Sequence, residues 1–237
     1  MPPVQIAVLN ASTVLTDAQV QAVVPALQTQ VSRDFAPVWG VDATLSFVAR
    51  GHQPPAGAWW MSILDDADQA GALGYHDLTS AGLPLGKVFA RTDLQSGSSW
   101  TVTVSHELLE MLADPDINRT VLATGAKHAG KAYAYEVCDA VEDDSLGYLV
   151  DGVRVSDFVT RAWFEPGEKT GPFDQGGHAT AALQLAKGGY IGVYEFTGGK
   201  GWTQLTDATS RHVDRAPHGS RRERRRRDRA LWRRSEP

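Results

Sequence analysis

Ser105-His106-Glu107-Leu108-Leu109-Glu110-Met111-Leu112-Ala113-Asp114-Pro115-Asp116 is the stretch on which the reading of this chain turns. On a helix, residues four apart stand about 40° apart in projection, so His106 and Glu110 can aim a nitrogen and a carboxylate oxygen at one ion. Glu107 lies about 100° round, at the edge of that face. Trp100, Val104, Leu108, Met111 and Leu112 gather on the opposite side, which predicts a buried back and a polar edge open to a cleft. Ser98 or Ser99 is the expected N-cap and Pro115 the stop. A histidine and two glutamates framing an apolar helix need a physical reason, because burying such groups unpaired is costly.

Upstream, elements alternate. Val4–Leu9 is a compact apolar strand, and Thr16 with Gln19 forms a capping box before Val20, Val23, Val24, Leu27 and Val31 at helical spacing. Pro25 is expected to kink that helix. Ala43–Ala49, Ala58–Leu64, Leu73–Leu78 and Lys87–Ala90 read as strands, the last two around the turn-rich Ser80–Pro84. Downstream, Arg119–Thr124 and Lys131–Cys138 flank a turn and predict a hairpin whose second arm delivers Glu136 and Asp139 towards the end of the helix. Two further hairpins are expected, at Val150–Val153 and at Gly188–Phe196 with Trp202–Leu205.

The His106–Glu110 segment resembles the His-Glu-x-x-His motif with glutamate in place of the second histidine. With the order of elements over residues 4–116 it is similar to the N-terminal half of the zincin metallopeptidases. The resemblance implies an α+β fold in which a mixed sheet packs on an active-site helix (residues 99–113), followed by a β-hairpin-rich C-terminal part. It also implies that His106 and Glu110 hold a metal ion and that Glu107 is the general base on a metal-activated water. An edge strand, here Leu73–Leu78, would pair with an extended peptide or protein substrate.

Catalytic zinc normally has three protein ligands. The third candidate is Asp116, ten residues after His106 as in the metzincin branch, although Ala113 stands where that branch has glycine. The rival is the hairpin arm, as in the glutamate-using branch, with Asp139 ahead of Glu136. In a regular strand those two face opposite sides, so both reach the ion only if the strand bends. One histidine with two carboxylates suits Zn and also admits Mn, Fe or Ca. Its added negative charge should weaken the bound water as a nucleophile source, so Glu110→His is expected to raise activity. The expectation is a zinc endopeptidase. The alternative is a non-catalytic, metal-stabilised structural or interaction protein of the same fold, for example a phage or secretion-machine component.

Other signals are weaker. Glu136, Asp139, Glu142, Asp143 and Asp144 also read as a solvated acidic loop. His76 can contact substrate, but a lone strand histidine is commonly structural. Tyr133, Tyr135 and Tyr148 can donate to an oxyanion or simply pack. Cys138 sits among carboxylates, which disfavours a thiolate nucleophile. No phosphate-binding glycine pattern follows a strand, and no Gly-x-Ser-x-Gly elbow is present.

The 237 residues, 42% hydrophobic, suffice for one substantial core, assigned to residues 1–217. The net charge of −5 hides two unlike parts. From His218 onward nine arginines face Glu223, Asp228 and Glu236, giving +6, while residues 1–217 hold 14 basic and 25 acidic residues, giving −11. The tail Arg221–Arg234 is expected to be disordered and is a candidate for binding nucleic acid or an anionic surface. Neither a secretory signal nor a membrane span is visible, and a single cysteine fits a reducing compartment, so the cytoplasm is expected and no membrane partner.

Overall fold

Val4–Asn10 (β1) places Ile6, Ala7 and Val8 in succession out of solvent, on both of its faces. Such a run suits the interior of a parallel sheet. Ala43–Val48 (β2) pairs with β1 on one side and Trp59–Leu64 (β3) on the other, both parallel. The computed structural model describes residues 3–207 except 70, 124, 126–127, 168–169 and 198–200. The arginine-rich tail predicted from residue 218 lies outside the described residues.

Between β1 and β2 runs α1 (Asp17–Thr29), which starts with the expected capping box. Gln19 N–H donates to Thr16 Oγ1 at 3.2 Å and Thr16 N–H to Gln19 Oε1 at 2.9 Å. Pro25 lies inside an uninterrupted helical stretch, and the departure from α geometry comes later. Gln30–Phe35 forms a π-helical segment before the short α2 (Ala36–Trp39). Widening the turn changes which residues face inward, and here it buries Gln30, Val31 and Phe35.

Gly74–Leu78 (β4) and Pro84–Phe89 (β5) complete a five-stranded sheet of order β2-β1-β3-β5-β4. Its first four strands are parallel, and β4 runs antiparallel to β5 at the edge. The strand expected at Lys87–Ala90 begins at Pro84, and Ala90 opens α3 (Ala90–Ser96) instead of ending the strand. Next comes α4 (Trp100–Ala113), the helix of the His106 stretch.

Thr120–Leu122 (β6) and Lys131–Ala134 (β7) form the predicted hairpin, Thr120 opposite Ala134. The second arm was expected to run to Cys138 but ends at Ala134, and the chain turns into a 3-10 segment at Asp139–Val141. Tyr148–Val150 (β8) and Val153–Val155 (β9) make a tight hairpin with positive φ at Asp151 (48°) and Gly152 (81°), as a type I′ turn requires. Tyr190–Glu195 (β10) and Gly201–Thr206 (β11) join β7 and β6 in a four-stranded antiparallel sheet, order β11-β10-β7-β6. The architecture is α+β with a mixed sheet. No helix among the described residues is long and apolar enough to cross a membrane.

α4 packs under β5, β4 and β3 on one side and against β9 on another. It therefore departs from the one-sided helix expected of its sequence: every residue from Val102 to Ala113 except His106 is buried. Leu108, Leu109 and Met111 are fully enclosed, each worth about 1.5–3 kcal/mol on burial. Gly74 permits the close approach of α4 to the sheet, since a Cβ there would stand 2.8 Å from both Glu107 Cγ and Thr103 Cγ2, while Gly86 makes room for the Met61 side chain of the neighbouring β3.

Candidate metal centre

Four buried carboxylates and two histidines meet where α4, β4 and the chain after β7 converge. His106 Nε2 lies 3.3 Å from Glu110 Oε1, one helical turn on, and 3.3 Å from Asp139 Oδ1. The three donor atoms fall within 4.8 Å of one another. Two donors bonded at about 2.0–2.1 Å to one tetrahedral ion stand about 3.3–3.4 Å apart. A direct charge-assisted hydrogen bond would be shorter, about 2.7–2.9 Å. The nitrogen-plus-carboxylate donor set and its spacing thus fit a divalent ion.

Glu110 uses both oxygens. Oε1 faces His106 and accepts Cys138 N–H at 3.2 Å, while Oε2 is 3.7 Å from His76 Nδ1. His76 comes from β4, and its Nδ1 is also 3.7 Å from Glu107 Oε2. Its Nε2 is 3.7 Å from Glu136 Oε2. A second group of donors, His76, Glu110 and Glu136, therefore adjoins the first.

His106, Glu107, Glu110, Glu136 and Asp139 line a cleft of about 760 Å³ with Gly74 and Tyr75 of β4 on one wall and Tyr190 and Trp202 of the second sheet on another, and His76 lies behind them. The electrostatics are those of a buried anionic cluster. Burial alone would push the His106 imidazole down, but the Glu110 charge and the bonds to Asp139 and Glu110 hold it well above the ordinary histidine range. Burial would raise Glu110, yet His106 brings it to about 2. Asp139, raised by burial and then by Glu110, reaches about 6. Glu142, behind it, is raised by burial and by Asp139 to about 8. Where several carboxylates share one enclosed space, a divalent cation relieves what protonation otherwise must.

Each arm is fixed by its own local chemistry. Ser105 Oγ donates to Gln30 Oε1 at 2.6 Å and accepts Ser156 N–H at 3.0 Å, while Gln30 Nε2 donates to the Ser156 carbonyl at 2.9 Å. This closed circuit locks the turn of α4 that carries His106. Asp139 receives the Tyr190 hydroxyl, brought there by the Gly188-Gly189 turn. A Cβ on Gly189 would stand 2.2 Å from the Ala140 carbonyl oxygen, so only glycine allows this contact. The N-terminus of α4 is capped from outside: Ser99 is the N-cap residue, its side chain does not cap, and its N–H donates to Asp144 Oδ2 at 2.7 Å.

Of the residues singled out from sequence, His106, Glu110 and Asp139 come together in one group, and Glu136 falls in the neighbouring one. The end of β7 at Ala134 supplies the bend that lets both carboxylates face the cleft. Glu107 lines the same cleft, close to His76. Asp116 is exposed on the turn after α4 and belongs to neither group. That turn is built by Asp114, whose carboxylate accepts the N–H groups of Asn118 and Arg119. The acidic loop is not simply solvated, since Glu136 and Asp139 are buried.

His76, expected to be structural, stands among the carboxylates, and Tyr190 was not singled out at all. The Gly-Gly pair before an aromatic strand was the available signal for Tyr190. The other tyrosines are engaged elsewhere: Tyr133 with His128 at 2.8 Å, Tyr148 with Asp34 at 3.0 Å, and Tyr135 against Trp39 and Phe164. Burial holds the Cys138 thiol well above its usual range, in keeping with a non-nucleophilic cysteine. No protein-family model, curated protein or solved structure was found to match the chain.

Proposed function

We propose that the protein is a metal-dependent hydrolase of zincin-like architecture that cleaves peptide bonds. The observation carrying this reading is the His106, Glu110 and Asp139 triad, with 3.3 Å donor spacings, at the floor of a cleft bordered by the antiparallel edge strand β4. His106 Nε2, Glu110 Oε1 and Asp139 Oδ1 would hold the ion, zinc being the first candidate and Mn, Fe or Ca compatible with the oxygen-rich set. Such an ion supplies an acidified water and polarises a carbonyl. Glu107 is the general base: it takes the proton from the attacking water and returns it to the departing amine. Tyr190 holds Asp139 in place, and the Gly74–Tyr75 end of β4, which lines the cleft, is where an extended peptide would lie.

Metal content together with peptide cleavage tests the proposal. Purified protein should contain at least one equivalent of transition metal, reduced in His106→Ala, and Glu107→Gln should keep the metal while cleavage falls by at least a hundredfold. Metal bound by the wild type and reduced in His106→Ala, with no cleavage of a broad peptide library, would favour the second reading, a metal-stabilised interaction module. That reading draws on the depth of the triad, whose side chains are 5–12% exposed.

A further inference from the structure

We propose that the cleft holds a second divalent cation, bound by His76, Glu136 and Oε2 of Glu110, so that Glu110 bridges two ions. This inference rests on the reading of His106, Glu110 and Asp139 as the first site. Three observations carry it. One ring nitrogen of His76 and one oxygen each of Glu110 and Glu136 lie within 4.8 Å of one another, and all three residues are buried. The 3.7 Å separations around the imidazole exceed a charge-assisted hydrogen bond of about 2.7–2.9 Å. Nδ1 is the nitrogen that faces Glu110 and Nε2 the one that faces Glu136, so the single nitrogen given to the ion has one of these oxygens at 3.7 Å and an oxygen of the other residue within 4.8 Å.

The second observation is the orientation of Glu110. Its Oε1 faces His106 and its Oε2 faces His76, which is how a carboxylate links ions about 3.5–4 Å apart. The third is charge. Glu107, Glu110, Glu136 and Asp139 are all buried around two imidazoles that must be neutral to ligate. One divalent ion leaves two negative charges enclosed, whereas a second balances them. The donor set of one imidazole and two carboxylates suits Zn or Mn. Glu107, whose Oε2 is 3.7 Å from His76 Nδ1, then lies beside the second ion.

The competing arrangement is a protonated His76 that takes the place of the second ion. Manganese titration of chelator-stripped protein, followed by electron paramagnetic resonance, separates the two. The expected result is two Mn ions per wild-type chain, with a signal broadened by ion–ion coupling. Glu136→Gln, nearly isosteric, should bind one ion with an uncoupled six-line spectrum, and circular dichroism checks that it is folded. One ion in the wild type, unchanged in Glu136→Gln and lost in Asp139→Asn, overturns the second site and leaves the first standing. Two ions without coupling overturn the bridge, and no ion in the wild type overturns both sites.

Discussion

Ser105 Oγ stands 2.6 Å from Gln30 Oε1, joining the helix of His106 to the π-helical segment 75 residues earlier. Both residues are fully buried, and with Ser156 they satisfy one another. Removing either leaves buried polar atoms unmatched. Gln30→Ala or Ser105→Ala should each cost about 1–3 kcal/mol in urea unfolding, and the double variant should cost less than the sum. Full additivity would show that the two residues act independently.

Gly74 is where the sheet leaves room for the proposed base. In Gly74→Val the new side chain overlaps Glu107 Cγ and Thr103 Cγ2, already 2.8 Å from a bare Cβ. Overpacking of this kind should cost about 1–3 kcal/mol and move Glu107. Loss of cleavage in excess of the loss of folded protein, read from activity per folded molecule, is the expected signature.

Away from the cleft, Asp157 and Asp174 form a buried acidic pair. Burial first, then the Asp174 charge, raises the Asp157 carboxyl to about 8. Unfolded, it titrates near about 3.9. The native state therefore holds this proton more tightly, and the contribution is complete below about pH 4 and lost as pH rises through about 8. Asp157→Asn keeps the acceptor for Phe158 and Gly176 N–H. Subtracting its stability–pH profile from that of the wild type should give a difference falling across this window, and a flat difference would count against the pair.

Chelation should destabilise the wild type. A ligand bound only by the native state at 100 times its Kd contributes about 2.7 kcal/mol, so Tm should fall in EDTA and recover with Zn or Mn. In His106→Ala the difference between the two conditions should shrink. An EDTA effect undiminished in that variant would place the ion elsewhere.

Much of the centre was legible where spacing alone decides. His106 and Glu110 are four apart on a helix, and the capping box and hairpins fix the frame around them. Asp139 and Glu136 required knowing that β7 stops at Ala134, which period-two reading of Lys131–Cys138 overran. His76 was not legible as part of the cluster, because the order β3-β5-β4 carries it over α4 and no local pattern encodes that crossover. Nor did the amphipathic reading foresee a helix buried all round, since its polar edge is roofed by chain from beyond residue 130. The π-helical segment at Gln30 likewise has no clear mark in the sequence; its reason is the Ser105 and Ser156 partners.

The glycine contact at Gly189 has a consequence for biosynthesis. Asp139 is steadied by Tyr190, whose strand closes on the Asp139–Val141 turn only through that glycine. The donors thus span positions 76 to 139 and their brace arrives at 190, so the centre depends on long-range closures that form late in folding. A growing polypeptide with α4 already extruded would carry His106 and Glu110 without Asp139 or its brace. Competence to bind the proposed ion would be acquired only after residue 190 has left the ribosome.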